Sequence, residues 1–111
     1  MNIYIRTSAR EDILRQYFYY LLEKDATRAA ERFLQAAQSA IEALCRMPGA
    51  GAPKMLDHPR LAGLRSWPVR GFPAIRIYYI HAGEDLRIVR ILHGKRDISP
   101  LLEEESSSDE D

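Results

Sequence analysis

The chain of 111 residues is 46% apolar and 29% charged, which fits one compact domain and excludes collagen-like, wholly disordered or multidomain organisation. Its sixteen Lys and Arg balance its sixteen Asp and Glu. However, six carboxylates (Glu103, Glu104, Glu105, Asp109, Glu110 and Asp111) crowd the last nine residues, so ten face sixteen cations elsewhere and the body carries +6. Thirteen of the cations are arginine, whose planar fork suits acidic partners. No apolar run reaches the ~18 residues of a membrane span, and Met1–Arg6 has no signal-peptide pattern. The lone Cys45 excludes an internal disulfide, and its apolar helical position predicts a buried thiol; a reducing cytoplasm is the expected setting.

Residues 2–6 alternate as a short half-buried strand, with Ile3 and Ile5 on one side and Tyr4 on the other. Ser8 and Glu11 have capping-box spacing, and Ile13, Leu14, Tyr17, Phe18, Leu21 and Leu22 follow at helical intervals, predicting a helix over 8–24. Asp25-Ala26-Thr27 supplies a break with N-cap chemistry. Ala30, Phe33, Leu34, Ala37, Ile41, Leu44 and Cys45 then mark a second amphipathic helix that stops at Met47-Pro48-Gly49. So short a break predicts an antiparallel helical hairpin.

Three prolines and two glycines make residues 48–60 a loop. Strands follow at 64–69, where Pro68 implies an edge or a bulge, at 74–80, and at 86–92 after a turn at Gly83-Glu84-Asp85. The order predicts an α+β fold: an N-terminal strand and a two-helix hairpin on one face of a mainly antiparallel sheet completed by three C-terminal strands. Tyr78, Ile80 and part of the last strand must then point away from the helices, an apolar-plus-Arg face that is a candidate interaction surface. The domain is expected over 1–102, with a short helix at Ile98–Leu102 and a disordered acidic tail over 103–111.

The chemistry of familiar enzyme sites is missing. His58, His81 and His93 have no metal-ligand spacing, no Ser sits in a Gly-flanked elbow, and no phosphate-binding glycine motif occurs, so no metal, cofactor or catalytic residue is assigned. What the sequence does offer is a cationic cluster in its second half, interleaved with Trp67, Tyr78 and Tyr79. From it Arg65, Arg70, Arg76, Arg90, His93 and Arg96 are taken as the candidate binding surface for a target or partner.

The ordered series Ser8-Ala9-Arg10-Glu11-Asp12-Ile13, Pro48-Gly49, Leu61-Ala62-Gly63-Leu64-Arg65, Arg76-Ile77-Tyr78-Tyr79 and Ile91-Leu92-His93-Gly94-Lys95-Arg96-Asp97-Ile98 resembles the ParE branch of the RelE/ParE toxin superfamily. The resemblance spans about residues 2–102. It implies the toxin of a type II toxin–antitoxin pair that inhibits DNA gyrase, blocks replication without catalysis of its own, and is neutralised by an acidic, amphipathic ParD-like antitoxin. Contacts with that antitoxin are expected from the outer surface of the helical hairpin and from the Arg-bearing sheet face.

The alternative is ribosome-dependent mRNA cleavage, as in the RelE branch, which needs a base, phosphate-clamping cations and a proton donor. Arg76 and Arg96 fall where that branch has phosphate-contacting arginines. Its two lysine positions fall on Trp67 and Val69, and its C-terminal tyrosine falls near Leu102; none of these carries a proton. His93 is the one substitute near Arg96. A third possibility is a plain nucleic-acid-binding module using the same cations, which the tethered acidic tail opposes by competition.

Overall fold

A computed structural model describes residues 1–55, 58–94 and 100. Its elements are β1 (Asn2–Ile5), α1 (Thr7–Phe18), α2 (Thr27–Arg46), β2 (Ala52–Pro53), β3 (Arg65–Val69), β4 (Phe72–Ala82) and β5 (Asp85–His93). The strands form one sheet in the order β1-β5-β4-β3-β2. β1 runs parallel to β5, Asn2 opposite Asp85 and Ile5 opposite Ile88, and the other neighbours are antiparallel. The expected α+β architecture is present, and β2 adds a fifth strand inside the Pro/Gly-rich loop.

The helices differ from the expectation at their ends. α1 begins at Thr7 after an extended Arg6, and α2 after Ala26; neither N-cap residue makes a side-chain cap bond. Asp25 instead takes φ 48°, a left-handed conformation tolerated by its short polar side chain, and so turns the chain. The α-helical winding of α1 ends at Phe18, and Tyr19–Glu23 continues as a π-helical turn. This widened turn lets Tyr20 contact Phe33 and Phe72, with centroids at 6.0 and 5.4 Å.

The main core lies between the hairpin and one sheet face. Phe33, Leu44, Val69, Ile77, Tyr79, Leu86 and Ile88 are fully buried there, and Cys45 packs at its border, half-buried. Alternation along β4 sends Ile75, Ile77 and Tyr79 to this side. Pro68 acts as its residue type demands: the β3–β4 register shifts between Pro68 and Val69.

The opposite face corrects the expectation of an open surface. Tyr78, Val89 and Leu92 form a second apolar cluster closed by Leu61 and Leu64 from the 48–64 connection, and Tyr78 is only 2% exposed. The connection is held in place by the Tyr79 hydroxyl, which donates to the Pro48 carbonyl (2.7 Å) and accepts from the Gly51 N–H (2.9 Å). Only glycine fits at 51, since a Cβ there would stand 2.5 Å from the Tyr79 hydroxyl oxygen and 2.8 Å from the Ser66 carbonyl oxygen. Both tyrosines have pKa values raised by burial; Arg76 partly offsets this at Tyr78, and the Gly51 hydrogen bond and then Arg65 do so at Tyr79. Apart from Pro100, which is helical, the expected terminal helix and the acidic tail lie outside the described residues.

Candidate partner-binding surfaces

The six candidate residues do not form one surface. Arg65 donates to the Gly51 carbonyl at 2.7 Å and, like Tyr79, holds the 48–53 loop. Arg76 reaches the Ser66 hydroxyl through Nε at 3.1 Å, and Gly94 lies so close to its side chain that a Cβ there would stand 2.8 Å from Cδ. Arg76 and Leu92 are paired across the strands, as are Ile75 and His93. Because successive residues alternate, Arg76 and His93 leave the sheet on opposite faces. Arg96 lies outside the described residues. Arg70, in the β3–β4 turn, and His93, at the end of β5, are exposed.

Arg90 is committed to the interior. Its guanidinium grips Asp12 of α1 with two bonds, Nε to Oδ2 at 2.8 Å and an NH2 to Oδ1 at 2.9 Å, and its side chain is 13% exposed. Asp12 also accepts the Ile91 N–H at 2.9 Å and an Arg15 nitrogen at 3.1 Å. The backbone explains this arrangement. β1 pairs with β5 only as far as Ile88, and Val89 is an extra residue in the β4–β5 register, where Tyr78 faces Arg90 but Tyr79 faces Ile88. Beyond Ile88 the β5 edge has no strand neighbour among the described residues, and the Asp12 carboxylate takes the place of a strand carbonyl. The expectation that Arg90 lines an open sheet face is therefore corrected: it is a structural ion pair.

The sequence pointed to the outer surface of the hairpin without naming residues there, and the structure shows two surfaces that it did not name. Along α1 and the turn after it, Leu14, Phe18 and Leu22 share one face at i, i+4 and i+8 and are 53%, 47% and 70% exposed. They stand outside the core face, because Ala9, Asp12 and Ile13 carry the contact with the sheet. The second is an apolar groove of about 900 Å³ between α2 and β3. Its signal was the run of small residues Ala36, Ser39, Ala40 and Ala43 on one helical face, which leaves room where larger side chains would fill the space. Among the described residues no three His, Cys, Asp or Glu side chains are grouped to hold a metal, and no helix is long and apolar enough to cross a membrane.

A search across known families places residues 3–98 in the family described as ParE toxin of type II toxin–antitoxin system, parDE. The chain belongs to the ParE toxin family. Among solved structures it is similar to a chain of the chromosomal ParDE toxin–antitoxin system from P. aeruginosa, with 19% identity over 84% of this chain and 95% of the other, and a TM-score of 0.64. That likeness supports the strand–hairpin–sheet fold. No curated protein matches. As a ParE toxin the chain is one half of a toxin–antitoxin pair.

Proposed function

We propose that this ParE toxin acts in the bacterial cytoplasm by inhibiting DNA gyrase, so blocking replication, and that a ParD-like antitoxin neutralises it by covering the hairpin. The target is carried by family membership over residues 3–98. What favours gyrase over mRNA as the target is the state of the sheet face on which an RNA-cleaving site would stand. Val69 is fully buried, Trp67 packs against the core, and neither carries a proton. His93 and Arg76 diverge to opposite faces, so the proton carrier and the phosphate clamp that cleavage needs do not converge.

Of the six candidate residues, Arg70 and His93 are offered as contacts with target or antitoxin, together with Arg96. Arg65, Arg76 and Arg90 act first on the fold, through Gly51, Ser66 and Asp12. For the antitoxin, the Leu14–Phe18–Leu22 stripe presents i, i+4, i+8 anchors of the kind that a partner helix packs against.

The test pairs a gyrase supercoiling assay with ATP and a ribosome-programmed mRNA cleavage assay on one preparation. Blocked supercoiling with trapped cleaved DNA and intact mRNA is the expected result. Cut mRNA with unaffected gyrase overturns the proposal.

A further inference from the structure

The outer sheet face is closed over Tyr78, Val89 and Leu92, but the closure stops short of the β1 edge. Strand register sets what lies beyond it. Tyr4 of β1 stands opposite Arg87 of β5, and Arg87 opposite Ile80 of β4, so one row across three strands presents these side chains on the outer face. Arg6, two residues after Tyr4, leaves on the same side, its backbone N–H donating to the Ile88 carbonyl at 3.1 Å. From the connection, a 3-10 turn at Pro59–Leu61 is anchored by the buried Leu61 and brings Arg60 to the rim. Together these residues enclose a hollow of about 290 Å³.

Arg6, Arg60 and Arg87 line this hollow beside the Tyr4 ring, over a floor of Leu61, Ile80 and Val89. The Arg87 guanidinium lies over the Tyr4 ring, 5.6 Å from its centroid, and Tyr4 stays 42% exposed. Among the described residues lining the hollow there is no carboxylate; Asp85, in the next row opposite Ala82, accepts the Asn2 side-chain amide at 3.1 Å. Three guanidinium groups around one small space match the several acceptor oxygens of a phosphate better than the two of a single carboxylate. The apolar floor and the exposed ring suit a flat base, which stacks on aromatic and guanidinium planes. The volume takes one small ligand, not a duplex. We propose that this hollow binds a single nucleotide unit with an unpaired base, its phosphate held by Arg6, Arg60 and Arg87 and its base against Tyr4 and the apolar floor. The site lies on the face away from the helical hairpin and does not depend on gyrase being the target.

The test titrates the full-length toxin with thymidine monophosphate, thymidine, inorganic phosphate and a six-residue oligothymidylate, followed by calorimetry and by the arginine side-chain N–H signals in NMR. Thymidine monophosphate is expected to bind at least about tenfold more tightly than thymidine or phosphate and to move the signals of Arg6, Arg60 and Arg87. Arg60→Glu, at an exposed position, should weaken it about tenfold. Arg28→Glu makes the same change of charge at an exposed position of α2, on the opposite side of the sheet, and should leave the affinity within about twofold. Tyr4→Leu keeps the phosphate response but lowers the nucleotide to the affinity of phosphate alone.

The oligothymidylate separates the two sources of this ligand. Binding tighter than that of the monophosphate, with a steeper salt dependence, assigns the site to a single strand, and equal affinity assigns it to a free nucleotide. Inorganic phosphate or a glutamate hexapeptide that binds as tightly as the nucleotide overturns the nucleotide assignment. Nucleotide binding that Arg60→Glu and Tyr4→Leu both leave unchanged, or that moves none of the three arginine signals, overturns the site.

Discussion

Asp12 is where a small change has the largest expected effect. Its side chain is 1% exposed, and its carboxylate accepts four hydrogen bonds, two from Arg90 and one each from Ile91 and Arg15. The Arg15 partner is a 69%-exposed side chain on the same helix and adds little, a few tenths of a kcal/mol. The other three matter. Asp12→Ala takes the Asp12 bonds away from a guanidinium that is nearly buried and from the buried Ile91 N–H. Breaking a buried pair on one side destabilises by about 3–5 kcal/mol, and we take the low end because Arg90 keeps some contact with water. For a domain of this size about 3 kcal/mol lowers the melting temperature by roughly 15 °C. Urea unfolding followed by far-UV circular dichroism measures it directly.

Asp12→Asn separates charge from hydrogen bonding. The amide oxygen still accepts from Ile91 or Arg90, so a loss about half as large is expected. Replacing both partners, Asp12→Leu with Arg90→Met, removes the stranded guanidinium and leaves only the Ile91 N–H without its acceptor, so the double variant should be more stable than Asp12→Ala alone. A loss below about 1 kcal/mol for Asp12→Ala, or a double variant worse than the single one, would refute the claim that Asp12 completes the β5 edge.

Three further outcomes are expected. Gly51→Ala forces a methyl group against the Tyr79 hydroxyl and the Ser66 carbonyl, so it should cost about 2 kcal/mol and loosen the 48–53 loop, seen as faster amide exchange at Gly51. Tyr78 and Tyr79 have folded pKa values above the ordinary 10, so the folded state holds their protons more tightly than the unfolded state; their contribution is complete below pH 10 and is lost as pH rises above it. Urea midpoints should therefore fall above pH 10, and Tyr79→Phe should flatten the fall while leaving the part due to Tyr78. Phe18→Ser, at a 47%-exposed position, should leave the melting temperature within about 2 °C yet weaken antitoxin binding at least tenfold, measured by calorimetry.

The elements that the sequence made legible are those whose pattern is local. α2 shows its period because one face alone meets the core, and its end at Met47-Pro48 follows from proline chemistry. The strands at 65–69, 72–82 and 85–93 follow from alternation and from the Gly83 turn, where φ is 60°. The two errors of burial have one cause: a period says which residues share a face, and tertiary structure decides what covers that face. Leu14, Phe18 and Leu22 have the spacing of a core stripe, yet Asp12 points at the sheet and turns them outward. Tyr78 and Leu92 alternate away from the hairpin as expected, but Leu61, from a segment with no periodic signal, and Leu64, just before β3, close over them.

That closure decides where recognition can occur. With Tyr78, Val89 and Leu92 covered by the protein's own connection, and with Arg65 and Arg76 bonded to Gly51 and Ser66, that part of the outer sheet face is closed to a partner. The hairpin offers exposed surface in two places, a stripe on the first helix and a groove beside the second. Two separated anchors on one small domain suit a partner segment that folds as it wraps, since each contact then holds the next at high effective concentration. On this argument, disabling either anchor alone weakens the complex and disabling both abolishes it, with the combined loss exceeding the product of the two single losses.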